Sequence, residues 1–258
     1  MNILNDIRNR RIAAAESASK SIPLEHLRER LSERRDFRPF RASLRADGIR
    51  IIAELKQASP SRGILIDPFD AERIAIEYQL GGAAAISVLT EPDYFLGSID
   101  RLTRVRGTIE LPLLQKDFIV SDYQIYEGAA AGADAILLIA RLLTEYELMR
   151  FHDLAAELGL VPVVEIHEDS ELLMLDQLPK NLFVGINNRN LTTFETNVQH
   201  AIRLIDSVLN RQQCPIIFSG IKNRKELEFY RHRTQNFLIG EHLIVAEDRI
   251  KALKELIE

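Results

Sequence analysis

Ile51-Ile52-Ala53-Glu54-Leu55-Lys56, the amphipathic span Pro68–Gly81, and Ala84-Ala85-Ile86-Ser87-Val88-Leu89-Thr90-Glu91 form one repeat of a longer pattern. A short apolar run of strand length is followed by a helical span and then by a second apolar run. Runs that are apolar on both faces belong to a parallel sheet covered by helices on both sides. The rhythm continues through Leu111–Leu114, Ala135–Ile139, Val161-Pro162-Val163-Val164, Leu182–Ile186, Pro215–Phe218 and Phe237-Leu238-Ile239, eight runs in all. Amphipathic spans lie between them, among them Tyr123–Gly132, Glu145–Gly159 and Asn223–Arg231. Gly82, Gly132 and Gly159 stand where helices are predicted to stop. Right-handed crossovers leave an open doubly wound sheet or a closed barrel, and eight repeats favour the (β/α)8 TIM barrel.

Upstream of this rhythm the chain changes character. Residues 1–48 carry Arg8, Arg10, Arg11, Arg28, Arg30, Arg34, Arg35, Arg38, Arg41 and Arg45, interleaved with Asp6, Glu16, Glu25, Glu29 and Glu33. Mixed charge at helical spacing predicts a solvated helix face. Pro23 after Ser21 predicts two helices, one on each side. The expected organisation is therefore one domain over 1–258, an α/β barrel at 49–258 with an N-terminal helical extension at 1–48.

Composition bounds the class of function. Hydrophobic residues make up 46 % and charged residues 28 % of 258, the mix of a folded globular chain. A net charge of −5 argues against an obligate nucleic-acid binder. Cys214 is the sole cysteine, so an intrachain disulfide and a cysteine zinc site are both excluded, and its apolar neighbours predict a small buried side chain. The first residues show no apolar run of a secretory signal, and no segment reaches the roughly 18 to 20 apolar residues of a membrane span. A cytoplasmic protein without membrane or nucleic-acid partners, monomeric or weakly dimeric, is the expectation.

In a parallel barrel the chemistry collects where strands end. The first strand ends in Glu54-Leu55-Lys56 and leads to Ser59-Pro60-Ser61-Arg62-Gly63, the third in Gln115-Lys116-Asp117-Phe118, the fifth in Glu165-Ile166-His167. The sixth ends in Asn187-Asn188-Arg189-Asn190, the seventh in Ser219-Gly220 and the eighth in Gly240-Glu241-His242. Glu54 and Lys56 are two apart, so a strand points them to the same side. Inward charges at a barrel mouth are costly unless paired or solvated, so opposite charges on neighbouring strands are predicted to pair. Gly220 and Gly240 follow the two strands after which such barrels expose backbone N–H groups to phosphate, with Lys56 and Arg189 as counter-charges.

At these residues the chain resembles the indole-3-glycerol phosphate synthase family. The resemblance runs through Ile52–Gly63, Ser87–Glu91 with Tyr94-Phe95 and Gly97-Ser98, Gln115–Ile119, Gly132–Ile139 and Gly185–Leu191. It implies a (β/α)8 barrel with an extra N-terminal helical segment near the active-site face. It implies conversion of 1-(2-carboxyphenylamino)-1-deoxyribulose 5-phosphate to indole-3-glycerol phosphate, CO2 and water, with no metal or organic cofactor. By the resemblance Lys116 is the general acid of ring closure. Lys56 pairs with the substrate carboxylate and assists proton transfer, Glu165 serves the later dehydration, and Glu54 holds the lysines in place. Asn187 and Arg189 match substrate-contacting positions. Ser59, Arg189, Ser219, Gly220 and Gly240 fall at or beside the phosphate, and Phe118 lies where the aromatic ring packs.

The general-acid role has an independent rationale. Attack of an aromatic ring on a carbonyl builds charge on oxygen, which a positioned ammonium neutralises by giving up its proton. A lysine suits the task when burial or a like charge lowers its pKa, and two lysines on one pocket are predicted to lower each other's. Two departures stand out: Phe218 occupies the place of an expected glutamate, and His242 that of an expected serine. They motivate an alternative, a catalytically weakened or inactive barrel that still binds a phosphorylated ligand. Another phosphosugar enzyme of the same fold, such as an isomerase, is a third reading.

Overall fold

The computed structural model describes residues 3–187 and 197–258. Eight parallel strands close into a barrel: β1 (Arg50–Leu55), β2 (Ala85–Leu89), β3 (Leu113–Lys116), β4 (Ala135–Ile139), β5 (Val161–Ile166), β6 (Phe183–Asn187), β7 (Cys214–Phe218) and β8 (Asn236–Ile239). Closure is direct, because β1 pairs with β2 through Glu54 and Ser87 and with β8 through Ala53 and Ile239. The (β/α)8 barrel read from the sequence is the observed architecture. Ile51, Ile52 and Ala53, for example, are fully buried, as strands covered on both faces require.

Helices α1 (Ile3–Ser21), α2 (Leu24–Glu33) and α3 (Phe40–Ser43) form the extension. Around the barrel follow α4 (Ala71–Leu80), α5 (Pro92–Phe95), α6 (Ile99–Arg106), α7 (Asp122–Ala131), α8 (Glu145–Glu157), α9 (Val198–Asn210), α10 (Arg224–Glu228), α11 (Glu241–Ile244) and α12 (Arg249–Ile257). Their starts are written locally. Asp70 caps α4 by accepting the N–H of Arg73, and Thr144 and Glu147 form a reciprocal capping box on α8. Gly132 ends α7 with φ of 106°, a conformation open to glycine but strained for other residues. After β5 the connection is a 3-10 segment, Asp169–Leu175. Among the described residues no helix is long and apolar enough to cross a membrane.

Three local expectations are corrected. The apolar run Leu111–Leu114 marks the buried stretch, but the ladder runs later, over Leu113–Lys116, so Lys116 is itself a strand residue. Strand β1 stops at Leu55, which leaves Lys56 just outside the sheet. Cys214, at the start of β7, is only partly buried.

The extension is also more than a solvated face. Helix α1 lies over the strand ends, where Arg11 reaches the buried Asp117 at 2.8 Å and Arg8 binds the carbonyl of Leu142 and Glu147. Helix α2 descends along α7, with Leu27 buried beside Tyr123. Below, Arg34 and Arg38 join Arg106 around Asp134 at the foot of β4. Phe40 then closes the opposite end of the barrel, edge-on to Phe183 at 6.1 Å. Arg10, Arg28, Arg30, Arg35 and Arg45 do face solvent. Helical spacing of mixed charges is common to both situations. Only the carboxylates and carbonyls brought up by the barrel distinguish a clamp from a solvated stripe.

Candidate active site

A cavity of about 370 Å³ opens at the strand ends. Glu54, Lys56, Ser59, Lys116, Asn187, Phe218, Ser219, Gly220 and Gly240 all border it. Glu165 does not. It lies buried beneath the cavity at 3 % exposure and is joined to it through Lys116 and Asn187. Phe118 is also off the wall. Its ring leans on Phe95 at 6.1 Å, and Phe95 is the aromatic residue that faces the cavity. Arg189 falls outside the described residues.

Two ion pairs organise the centre. Lys56 Nζ lies 2.7 Å from Glu54 Oε2, and Lys116 Nζ donates to Glu165 Oε2 at 3.4 Å. Burial alone pushes Glu54 up, but Lys56 and then Lys116 pull it below the ordinary carboxylate value. Glu165 is treated likewise: burial raises it, while Lys116, His167 and Asn187 together hold it far below that range. Lys116 runs against the expectation from sequence. Burial draws it down, yet Glu165 and Glu54 outweigh burial and leave it above the usual lysine value. The physical reason is the opposite charge beside it, with Glu165 only 3.4 Å away, which favours the ionised form.

Glycine makes room for this arrangement. A Cβ on Gly240 would stand 2.3 Å from Glu54 Oε2 and 3.1 Å from Lys56 Nζ, so the pair rests against bare backbone of the β8 end. Gly185 does the same for Phe218, whose ring lies 2.4 Å from where a Cβ would be. The same ring meets Lys116, whose Nζ is 5.5 Å from the ring centroid. A desolvated cation–π contact of this kind contributes about 1–2 kcal/mol. Phe218 is therefore built into the site, with its own space and its own contact to an ammonium.

At the seventh strand end Ser219 and Gly220 both take positive φ, 64° and 83°, and turn the chain along the cavity wall. Ser219 bears the strain of a left-handed residue there. Not every charge at a strand end serves the cavity. Glu91 is spent on the start of α5, accepting the N–H groups of Asp93, Tyr94 and Phe95. Asp117 is buried and held by Arg11, by Thr90 at 2.5 Å and by the Phe118 N–H. The sequence reading assigned no role to His167, which sits 3.1 Å from Glu165. Its position two residues after Glu165 was the available signal, the same alternation that linked Glu54 to Lys56.

The family model "Indole-3-glycerol phosphate synthase" matches residues 4–256. The chain is 43 % identical to an indole-3-glycerol phosphate synthase of Desulfosudis oleivorans, over 99 % of this chain and 98 % of that one. It is 40 % identical to the protein of the same name from Rhodopirellula baltica, over 100 % and 99 % of the two chains. Among solved structures, a mutant tryptophan synthase alpha-subunit from Pyrococcus furiosus superposes with a TM-score of 0.63 at 15 % identity, covering 82 % of this chain and 99 % of that one. The alpha subunit from Legionella pneumophila gives 0.56 at 14 %, covering 81 % and 91 %. At such low identity these two structures speak for the barrel alone.

Proposed function

The chain belongs to the indole-3-glycerol phosphate synthase family, and from this membership we propose how its residues divide the reaction. The reaction is a carboxy-lyase step of tryptophan biosynthesis that turns the anilino-ribulose phosphate into indole-3-glycerol phosphate. The observation that carries the assignment of roles is the pair of ion pairs, Lys56 with Glu54 and Lys116 with Glu165, set around one cavity.

Ring closure joins the carboxylate-bearing ring carbon to the sugar carbonyl, and the carbonyl oxygen takes up a proton. Lys116 supplies it, held protonated by its two carboxylates until negative charge develops on that oxygen. Lys56 lies across the mouth and pairs with the substrate carboxylate, which then leaves as CO2 as the ring regains aromaticity. Dehydration removes the new hydroxyl with one proton delivered to it and one taken from the ring. Glu165, ionised and next to Lys116, takes the proton from the ring, and Lys56, which assists proton transfer, gives the one that leaves with the hydroxyl as water. Glu54 keeps both lysines in place. Ser59, the Ser219–Gly220 turn and Gly240 border the end of the cavity where the phosphate is bound, and Asn187 bridges substrate and Glu165. Arg189 is proposed to complete the anion site from the segment after β6.

The substrate's phosphate and carboxylate keep it from crossing membranes unaided, which supports a cytoplasmic enzyme. A monomer or weak homodimer is the proposed state, and the overall negative charge argues against an obligate nucleic-acid binder.

Incubation with the anilino-ribulose phosphate, followed by indole fluorescence, is expected to show product. Binding without product would instead favour the non-catalytic barrel. Phe218→Glu separates the two readings further. It is expected to give a turnover no higher than the parent's, because the ring already fills the space at Gly185 and supports Lys116. A third buried carboxylate would also raise Lys116 further. A clear rise in turnover would show that the missing carboxylate limits this chain.

A further inference from the structure

Behind Glu165 the fold buries a line of charged and polar groups that the reaction steps above leave unused. His167 is 7 % exposed and does not border the cavity. Its Nε2 lies 3.1 Å from Glu165 Oε1 and its Nδ1 lies 3.9 Å from Glu171 Oε2. Glu171, itself buried in the 3-10 segment, accepts the backbone N–H of His167 at 2.6 Å and Nε of Arg141 at 2.9 Å. Arg141 also reaches Glu168 at 3.2 Å. From α9, the His200 ring contacts the His167 carbonyl at 2.9 Å, which fixes the backbone beneath the imidazole.

A glutamate's terminal torsion is broad, so contacts and not a rotamer well decide where its two oxygens point. Here Oε1 receives Asn187 Nδ2 at 3.0 Å and faces the imidazole, while Oε2 meets Lys116. Asn187 borders the cavity and is open to disturbance by substrate, whereas the backbone of His167 is anchored from behind by Glu171 and its buried imidazole lies 3.1 Å from Oε1. We propose that His167, backed by Glu171 and Arg141, is a positioning residue for Glu165: it holds Oε1 so that Oε2 stays turned to Lys116 and the reacting centre. This rests on the reading of Glu165 as the dehydration carboxylate.

Two polar substitutions test it, because glutamine extends an amide to where Nε2 stands and asparagine stops near Nδ1. H167N is expected to lower kcat by about tenfold with KM within about twofold, the signature of lost orientation without lost binding. H167Q is expected to retain kcat within about threefold. In an E165Q background H167N is expected to cost nothing more, since the two act as one unit. Equal kcat for H167N and H167Q, a rise in KM at constant kcat, or losses that multiply in the double variant would each overturn the proposal. Should H167N fail to fold, Glu171→Gln reads the same line from its far side, with kcat falling about threefold at constant KM and a parental kcat overturning it. E165Q alone keeps the two readings apart. Near-parental turnover there removes Glu165 from the reaction and leaves His167 nothing to position, whereas an inactive E165Q beside a fully active H167N removes only the role of His167.

Discussion

Lys116→Ala is expected to lower kcat by about 10² or more, the usual scale when a general acid is lost. The side chain ends β3 with its ammonium between Glu165, Glu54 and the Phe218 ring, so no other group stands where it does. Solvent has poor access to the proton it would replace, because the Lys116 side chain is itself only 18 % exposed. The sign of the pH dependence follows from its raised pKa. The ammonium is present below that value and is lost as pH rises through it, so the alkaline fall of kcat due to Lys116 lies above the ordinary lysine value of about 10.4. Initial rates by indole fluorescence, over pH and for the variant, check both statements. Near-normal turnover of the variant would remove Lys116 from the mechanism.

Asp134→Ala is expected to cost about 3 kcal/mol or more of stability, the scale for breaking a buried ion pair from one side. The Asp134 side chain is fully buried and receives Arg106 at 2.7 Å, Arg34 at 3.2 Å and the N–H groups of Arg38 and Leu113 at 2.8 and 2.9 Å. Removing it leaves two guanidinium groups, each under a tenth exposed, with the solvent-facing Asp36 as their remaining carboxylate, and takes the acceptor from the N–H that begins β3. It also frees the segment joining the extension to the foot of the barrel. The urea midpoint is expected to fall with little change in slope. Arg104→Ala, which breaks exposed pairs with Glu72 and Asp100, serves as the control at about 0.5 kcal/mol or less. A loss under about 1 kcal/mol for Asp134→Ala would mean that the extension is held mainly by apolar contacts such as Phe40 on Phe183.

The barrel was legible because its signals are local. Strand length, two-sided burial and helix stops such as Gly132 depend on neighbouring residues, and each agreed with the global fold. That Glu54 and Lys56 face the same side was equally legible from their spacing of two, although the ion pair between them, with Lys56 just past the strand, was not. The apolar runs also put Lys116, Asn187, Ser219, Gly220 and Gly240 at strand ends, and the barrel gathers them on one cavity.

What needed the tertiary structure concerns distance between segments far apart in the chain. The direction in which Lys116 titrates depends on how close Glu165 and Glu54 come, and no spacing along the sequence encodes that. The same holds for Glu165, which lies under the cavity and not in its wall, and for Phe218, which looked like a missing carboxylate but has Gly185 shaped to its ring. Arg11 and Arg34 read as solvated because their partners, Asp117 and Asp134, lie about a hundred residues away, and Arg38 because the carbonyls of Leu111 and Arg106 that its guanidinium binds are nearly as distant. Periodicity along the chain therefore determined the architecture and the side chains that meet at the strand ends. Coulomb energies and desolvation, which follow separation and burial in space, decided their protonation, their partners and what the extension holds together.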